Sequence, residues 1–178
     1  KMLGKGYKPF FLFFLMVYYV IIRGPLGCGK STISEQLSKK IKGRHFSVDR
    51  ILDEHSLTDE KEGGYISQKS FIAANSIIVP KAKKILDRNI SIVFDGNFYW
   101  KSQIDNLISR LNFPHHVFTL CAPLAICIQR DSKRNKTHGR DAAEAVYKKS
   151  TSFTYGTIID VTKSLNQCVK EIVSYLPS

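Results

Sequence analysis

Apolar and polar positions along the chain follow two alternating periods. "VYYVII", Val17–Ile22, is apolar on both faces and rich in β-branched and aromatic residues, the pattern of a central parallel strand. Ser31–Ile41 then spaces Ile33, Leu37 and Ile41 four apart on one helical face, and Gly43 ends the run. "RHFSVD" reads as a second strand ending at Asp49, and the acidic "ILDEHSLTDEKEGG" reads as mostly irregular and mobile. Ser67–Arg88 is helical in pattern, with Pro80 expected to break or kink it. "ISIVF", Ile90–Phe94, is a third strand running into Asp95-Gly96, and Ser102 is placed to cap a helix carrying Ile104, Leu107, Ile108 and Leu111. "HVFTL" is a fourth strand, and Pro123 suits the first turn of a helix that runs to about Arg134. After the polar "NKTHGRD" come a helix, "AAEAVYKK", a fifth strand, "GTIIDV", and a last helix, "SLNQCVKEIVSYL".

Strands that alternate with helices imply an α/β fold, a parallel sheet covered by helices on both faces. The chain of 178 residues is long enough for one core of this kind. Residues 16–178 therefore read as a single domain, with an insertion over about 130–152 as a short lid and residues 1–15 as an N-terminal extension. Phe10–Ile22 is an unbroken apolar run of thirteen residues. That is short of the roughly 20 needed to span a bilayer. No small-residue cleavage site precedes Arg23, so the run does not read as an export signal, and no membrane association is expected.

Charge adds a partner class. Lys and Arg number 27 against 15 Asp and Glu, a net of +12. Residues 1–50 hold ten basic and two acidic side chains, and residues 101–178 hold eleven and six. A nucleotide or nucleic acid would find a favourable field at these ends, although a solvated basic surface accounts for the same charge. Cys28, Cys121, Cys127 and Cys168 form no Cys-x-x-Cys pair, and no histidine stands at zinc-finger spacing. They read as reduced and mostly buried, which points to the cytoplasm.

The chemistry gathers where strands end. Gly24-Pro25-Leu26-Gly27-Cys28-Gly29-Lys30-Ser31, followed by Thr32, fits the phosphate-binding pattern G-x-x-x-x-G-K-[ST]. The glycines let backbone N–H groups curl around phosphates, Lys30 reaches the β- and γ-phosphates, and Ser31 ligates Mg²⁺. It also lies in the required context, after an apolar strand and opening a helix. Asp49, Asp95 and, less strongly, Asp160 fall at strand ends, where ligands sit in a doubly wound sheet. Phosphoryl transfer to a hydroxyl wants one carboxylate at the acceptor and another near Mg²⁺; Asp49 is the candidate for the first and Asp95 for the second. Arg130 and Arg134 are four apart on one helical face, and Arg140 follows in the polar loop. Such guanidinium groups neutralise a transferring phosphoryl, although Lys133 and Lys136 interleave them as on a solvated face. "FYW", Phe98–Trp100, reads as core or as a cover for the acceptor.

"GPLGCGKST", "FSVD", "VFDGN" and "CIQRDSKR", in this order, resemble the AAA-type small P-loop kinases, the group of nucleoside monophosphate kinases, polynucleotide kinases and zeta toxins. The resemblance implies a three-layer fold with a five-stranded parallel core, an Arg-bearing lid, ATP as donor and Mg²⁺. It assigns acceptor activation to Asp49, nucleotide contact to Arg130 and phosphate contact to Arg134. The chain departs from the group at Asn97 and Tyr99, where adenylate kinases carry an aromatic residue and an arginine, and at Leu52, where polynucleotide kinases carry an arginine. The expected activity is transfer of the γ-phosphate of ATP to a hydroxyl on a small metabolite, a nucleotide or a 5′-OH nucleic-acid end. The alternative is a regulatory or adaptor ATPase that phosphorylates nothing.

Overall fold

The computed structural model describes residues 16–135 and 137–177. The expectation for residues 1–15 lies outside them. Five parallel strands form the central sheet: β1 (Tyr19–Arg23), β2 (Arg44–Ser47), β5 (Ile92–Asp95), β6 (His115–Cys121) and β7 (Thr157–Asp160). Their order is β2-β5-β1-β6-β7. Every residue of β1 is buried, because its alternate side chains face two separate cores. Tyr19 and Ile21 pack with α2 (Val48–Glu54), α3 (Gln68–Leu86) and α4 (Lys101–Leu111), whereas Val20 and Ile22 pack with α1 (Lys30–Lys40), α5 (Leu124–Ser132) and α7 (Leu165–Ser174). The remaining helix, α6 (Arg140–Ser150), packs on α5.

Four local expectations change. The second strand stops at Ser47, whose side chain accepts from the Arg50 N–H and caps α2, so Asp49 lies in a helical first turn. A carboxylate there is favoured by the helix dipole. The acidic segment after it is partly ordered: β3 (Lys61–Glu62) and β4 (Tyr65–Ile66) form an antiparallel hairpin turned by Gly63 and Gly64. The helix α3 runs through Pro80 without a break. Pro80 and Ser76 are both exposed, so the carbonyl freed by the missing N–H lies on the solvent face, while Phe71, Ala74, Ile78, Ala82 and Leu86 hold the buried face. The helix after "FYW" starts two residues early, with Trp100 at its N-cap, and the Ser102 hydroxyl donates to the Gln68 side chain instead.

The sheet order decides the site. β5 lies between β2 and β1, so the carboxyl ends of all three converge on the loop that follows β1. Among the described residues no helix is long and apolar enough to cross a membrane.

Candidate active site

The loop after β1 is built to hold phosphate. Gly27 adopts φ +74, and a Cβ on it would lie 2.0 Å from the Cys127 carbonyl oxygen, so no other residue fits. Gly29, in the left-handed region at φ 90, caps α1 with no side-chain hydrogen bond. The first N–H groups of α1 are thus left for an anion. Lys30 is buried, its ammonium donating to the Pro25 carbonyl (2.9 Å) and to Asn97 Oδ1 (3.1 Å). Ser31 donates to Asp95 Oδ2 at 2.8 Å, and Asp95 Oδ1 lies 2.6 Å from His45 Nε2.

A cavity of about 1150 Å³ opens over this loop. One arm runs from the phosphate loop to Arg130, Val161 and Lys163; the other passes Asp49, Asn97 and Tyr99 to the hairpin and α6. Asp49 is half-buried between the arms and accepts the Asn97 N–H at 3.2 Å. Burial raises its carboxyl above the ordinary carboxylate range; Lys30 and the Asn97 amide pull it down, and Asp95 and Asp53 push it up again. A base with a raised pKa is better matched to proton abstraction near neutral pH.

The predicted arginines separate. Arg130 lines the cavity and donates to the Val161 carbonyl at 2.9 Å, and Arg134 lines it from the next turn. Arg140 stands at the exposed start of α6, paired with Glu144 at 2.8 Å, and does not line the cavity. Asp160 is likewise outside: it accepts from the Thr162 N–H and hydroxyl and caps a turn. The loop after α5 does fold back, pinned on buried Asp131, which accepts from Thr137 Oγ1 (2.8 Å) and from the His138 N–H (3.0 Å). Burial alone would raise Asp131, but these bonds and the His138 ring outweigh it and hold the carboxyl below its usual value. His138 thereby reaches the cavity wall.

A family model described as "AAA domain" matches residues 20–154. The chain belongs to this AAA-domain family. Shikimate kinase 2 of Salmonella dublin is 27% identical to it, over 91% of this chain and 93% of that protein. A sugar kinase from Janibacter sp. HTCC2649 shares the fold with a TM-score of 0.74 at 14% identity, covering 89% of this chain and 94% of that one. A gluconokinase from Sinorhizobium meliloti 1021 does so at 0.67 and 14%, covering 88% and 89%. The fold of this AAA-domain protein is thus that of the small P-loop kinases, three-layered with a five-stranded parallel sheet.

Three residues in and around the site gain their roles only from the fold. His45 reaches Asp95 only because β2 pairs with β5. Asn97 reaches both Lys30 and Asp49. Arg23 is fully buried and donates to Phe98 O, Thr119 Oγ1, Phe153 O and Ser150 O. Its one sequence signal is a charge closing an otherwise apolar strand. "FYW" is largely core: Phe98 and Tyr99 are buried, and Tyr99 also lines the cavity.

Proposed function

We propose that this protein is a Mg²⁺-dependent kinase that transfers the γ-phosphate of ATP to a hydroxyl group of a small molecule. The carrying observation is that Asp49 and the phosphate-loop Lys30 meet in one cavity, joined through Asn97. Asp49 takes the proton of the acceptor hydroxyl as its oxygen attacks the γ-phosphorus. The bond to the β-phosphate oxygen breaks, and ADP leaves. Lys30, Arg130 and Arg134 offset the charge on the transferring group. Arg140, turned outward in this structure, has its place in nucleotide binding only if the start of α6 moves inward.

Ser31 and Asp95 suit magnesium. They are hard oxygen donors, one a hydroxyl and one a buried carboxylate, already 2.8 Å apart. No cluster of three His, Cys, Asp or Glu side chains is gathered for a metal among the described residues, as expected for an ion held largely by phosphate oxygens and water. Bound there, magnesium would supply charge neutralisation of the phosphates.

The acceptor arm favours a small molecule over a nucleic-acid end. Tyr65 of the hairpin donates to the Ala145 carbonyl of α6 at 3.3 Å, and the Lys149 ammonium lies 3.5 Å from the Trp100 ring centre and 5.3 Å from that of Tyr65. These contacts tie the hairpin to α6 at the end of this arm, where Tyr65 and Ala145 line the cavity, and a bridged end suits a small acceptor better than a polymer. The likeness to shikimate kinase and to gluconate and sugar kinases supports the same choice. Four unpaired cysteines suit a reducing cytoplasm.

The test is acceptor-dependent ADP release from Mg·ATP across a panel of hydroxy acids, polyols and nucleosides that includes shikimate and gluconate. At least one should accelerate turnover and be recovered phosphorylated. ATP turnover indifferent to every compound would replace the kinase with a nucleotide-dependent regulator.

A further inference from the structure

Two consecutive residues of the phosphate loop are met by two residues that stand two apart at the carboxyl end of β5. Ser31 donates to Asp95, and Lys30 donates to Asn97. Asn97 is the only one of the four that also touches Asp49, through its backbone N–H. An ammonium only donates, so the Lys30 contact fixes the Asn97 carboxamide with Oδ1 towards the lysine. The loop that carries Asn97 is held firmly. At Gly96 a Cβ would come within 3.1 Å of Val48 and 3.2 Å of the Phe98 ring. Phe98 is a non-glycine residue at φ 41, fully buried, with its carbonyl accepting from Arg23 Nε at 3.3 Å. Backbone strain of this kind persists only where the surroundings over-determine it.

We propose that Asn97 is a positioning residue that keeps Lys30 in register with Asp49 while the site is empty and yields the lysine to the phosphates when nucleotide binds. The proposal rests on the kinase reading above. The reason lies in bond strength. A neutral amide oxygen binds an ammonium less strongly than a phosphate does, so the lysine is released. A carboxylate at the same position would compete with the phosphates and retain it. The backbone N–H to Asp49 is kept in Asn97→Asp and Asn97→Ala, so both changes leave that bond in place.

The experiment is titration calorimetry of the whole chain with Mg²⁺ and a non-hydrolysable ATP analogue, repeated in a Lys30→Met background. Asn97→Asp should raise the Kd about tenfold or more, and Asn97→Ala should leave it within about threefold. In the Lys30→Met background the cost of Asn97→Asp should shrink to under about threefold, because the trapped partner is gone. An equal loss in both backgrounds overturns the proposal, since it would reflect direct repulsion of the phosphates. So does Asn97→Ala weakening binding as much as Asn97→Asp, the pattern of a merely structural role. If Asn97→Asp does not fold, Asn97→Ala decides alone: loss of the pre-positioned lysine should slow association of the analogue about threefold or more in stopped flow, and an unchanged association rate overturns the assignment. A wild-type chain that fails to bind the analogue removes the nucleotide reading itself, a result distinct from any of these.

Discussion

The Ser31 hydroxyl donates to Asp95 across 2.8 Å, and this bond ties the first turn of α1 to the carboxyl end of β5. The second oxygen of the same carboxylate is engaged by His45 at 2.6 Å. Asp95→Asn keeps the shape and removes the charge. The magnesium concentration needed for half-maximal ATP turnover should rise about tenfold or more, with a fall in kcat. A magnesium titration of wild type and variant checks this, and coincident curves would place the ion elsewhere.

Asp49→Asn should abolish phosphoryl transfer and leave ATP affinity within about threefold, the signature of a lost transition-state role. It should also change stability in a defined direction. The native Asp49 carboxyl titrates above its unfolded value. Its contribution to stability is therefore present at low pH and lost as pH rises through the native pKa. Asparagine carries no such penalty, so the variant should melt higher than wild type at neutral pH, and the gap should close as pH falls below about 4, the ordinary carboxylate range. Thermal melts across pH measure it; a variant that melts lower at neutral pH would contradict the raised value.

Gly27→Ala tests the phosphate loop at its tightest point. The new Cβ would stand 2.0 Å from the Cys127 carbonyl oxygen, at a residue with φ +74. A rigid backbone neighbour cannot yield as a side-chain tip does. The loop must shift, and both ATP affinity and stability should drop, the latter by about 1–3 kcal/mol. Calorimetric ATP binding together with denaturant unfolding reads both. An alanine variant that binds ATP normally would show the loop to be more pliant than its packing implies.

Arg23 is a buried cation with no carboxylate beside it among the described residues. Burial lowers its pKa to about 10, so it stays charged at neutral pH. It is satisfied by three carbonyls and a hydroxyl from β6, the end of α6 and the segments after β5 and α6, and by the Phe153 ring at 4.2 Å. Arg23→Met leaves several buried acceptors without a donor and should cost on the order of 3 kcal/mol or more. Arg23→Lys keeps the charge and cannot span the same acceptors, so it should recover only part of the loss. Urea unfolding of the pair decides, and full recovery by lysine would mean that charge alone matters there.

The phosphate loop and the alternation of strands and helices were legible because they are local. Val17–Ile22 and the glycine pattern after it carry their own periodicity and backbone demands. Asp49 and Asp95 were found as strand-end acids, yet Asp49 proved to be helical, because the Ser47 cap outweighs the strand pattern of "RHFSVD". Arg140 illustrates the opposite limit. Residue type and spacing favour it as they favour Arg130 and Arg134, but an exposed helix start offers it Glu144 as a nearer partner. The bridge between the hairpin and α6 was not legible either, since Tyr65, Trp100, Ala145 and Lys149 come from three separate segments.

Read alone, the sequence determined the donor half of the site: a motif whose geometry is imposed by glycine φ angles and by the helix that follows needs nothing distant to define it. Tertiary structure decided the rest. The order β2-β5-β1 brings Asp49, Asp95 and Asn97 to the phosphate loop, and strand order depends on how two cores share one sheet, a non-local packing outcome that no stretch of residues encodes by itself.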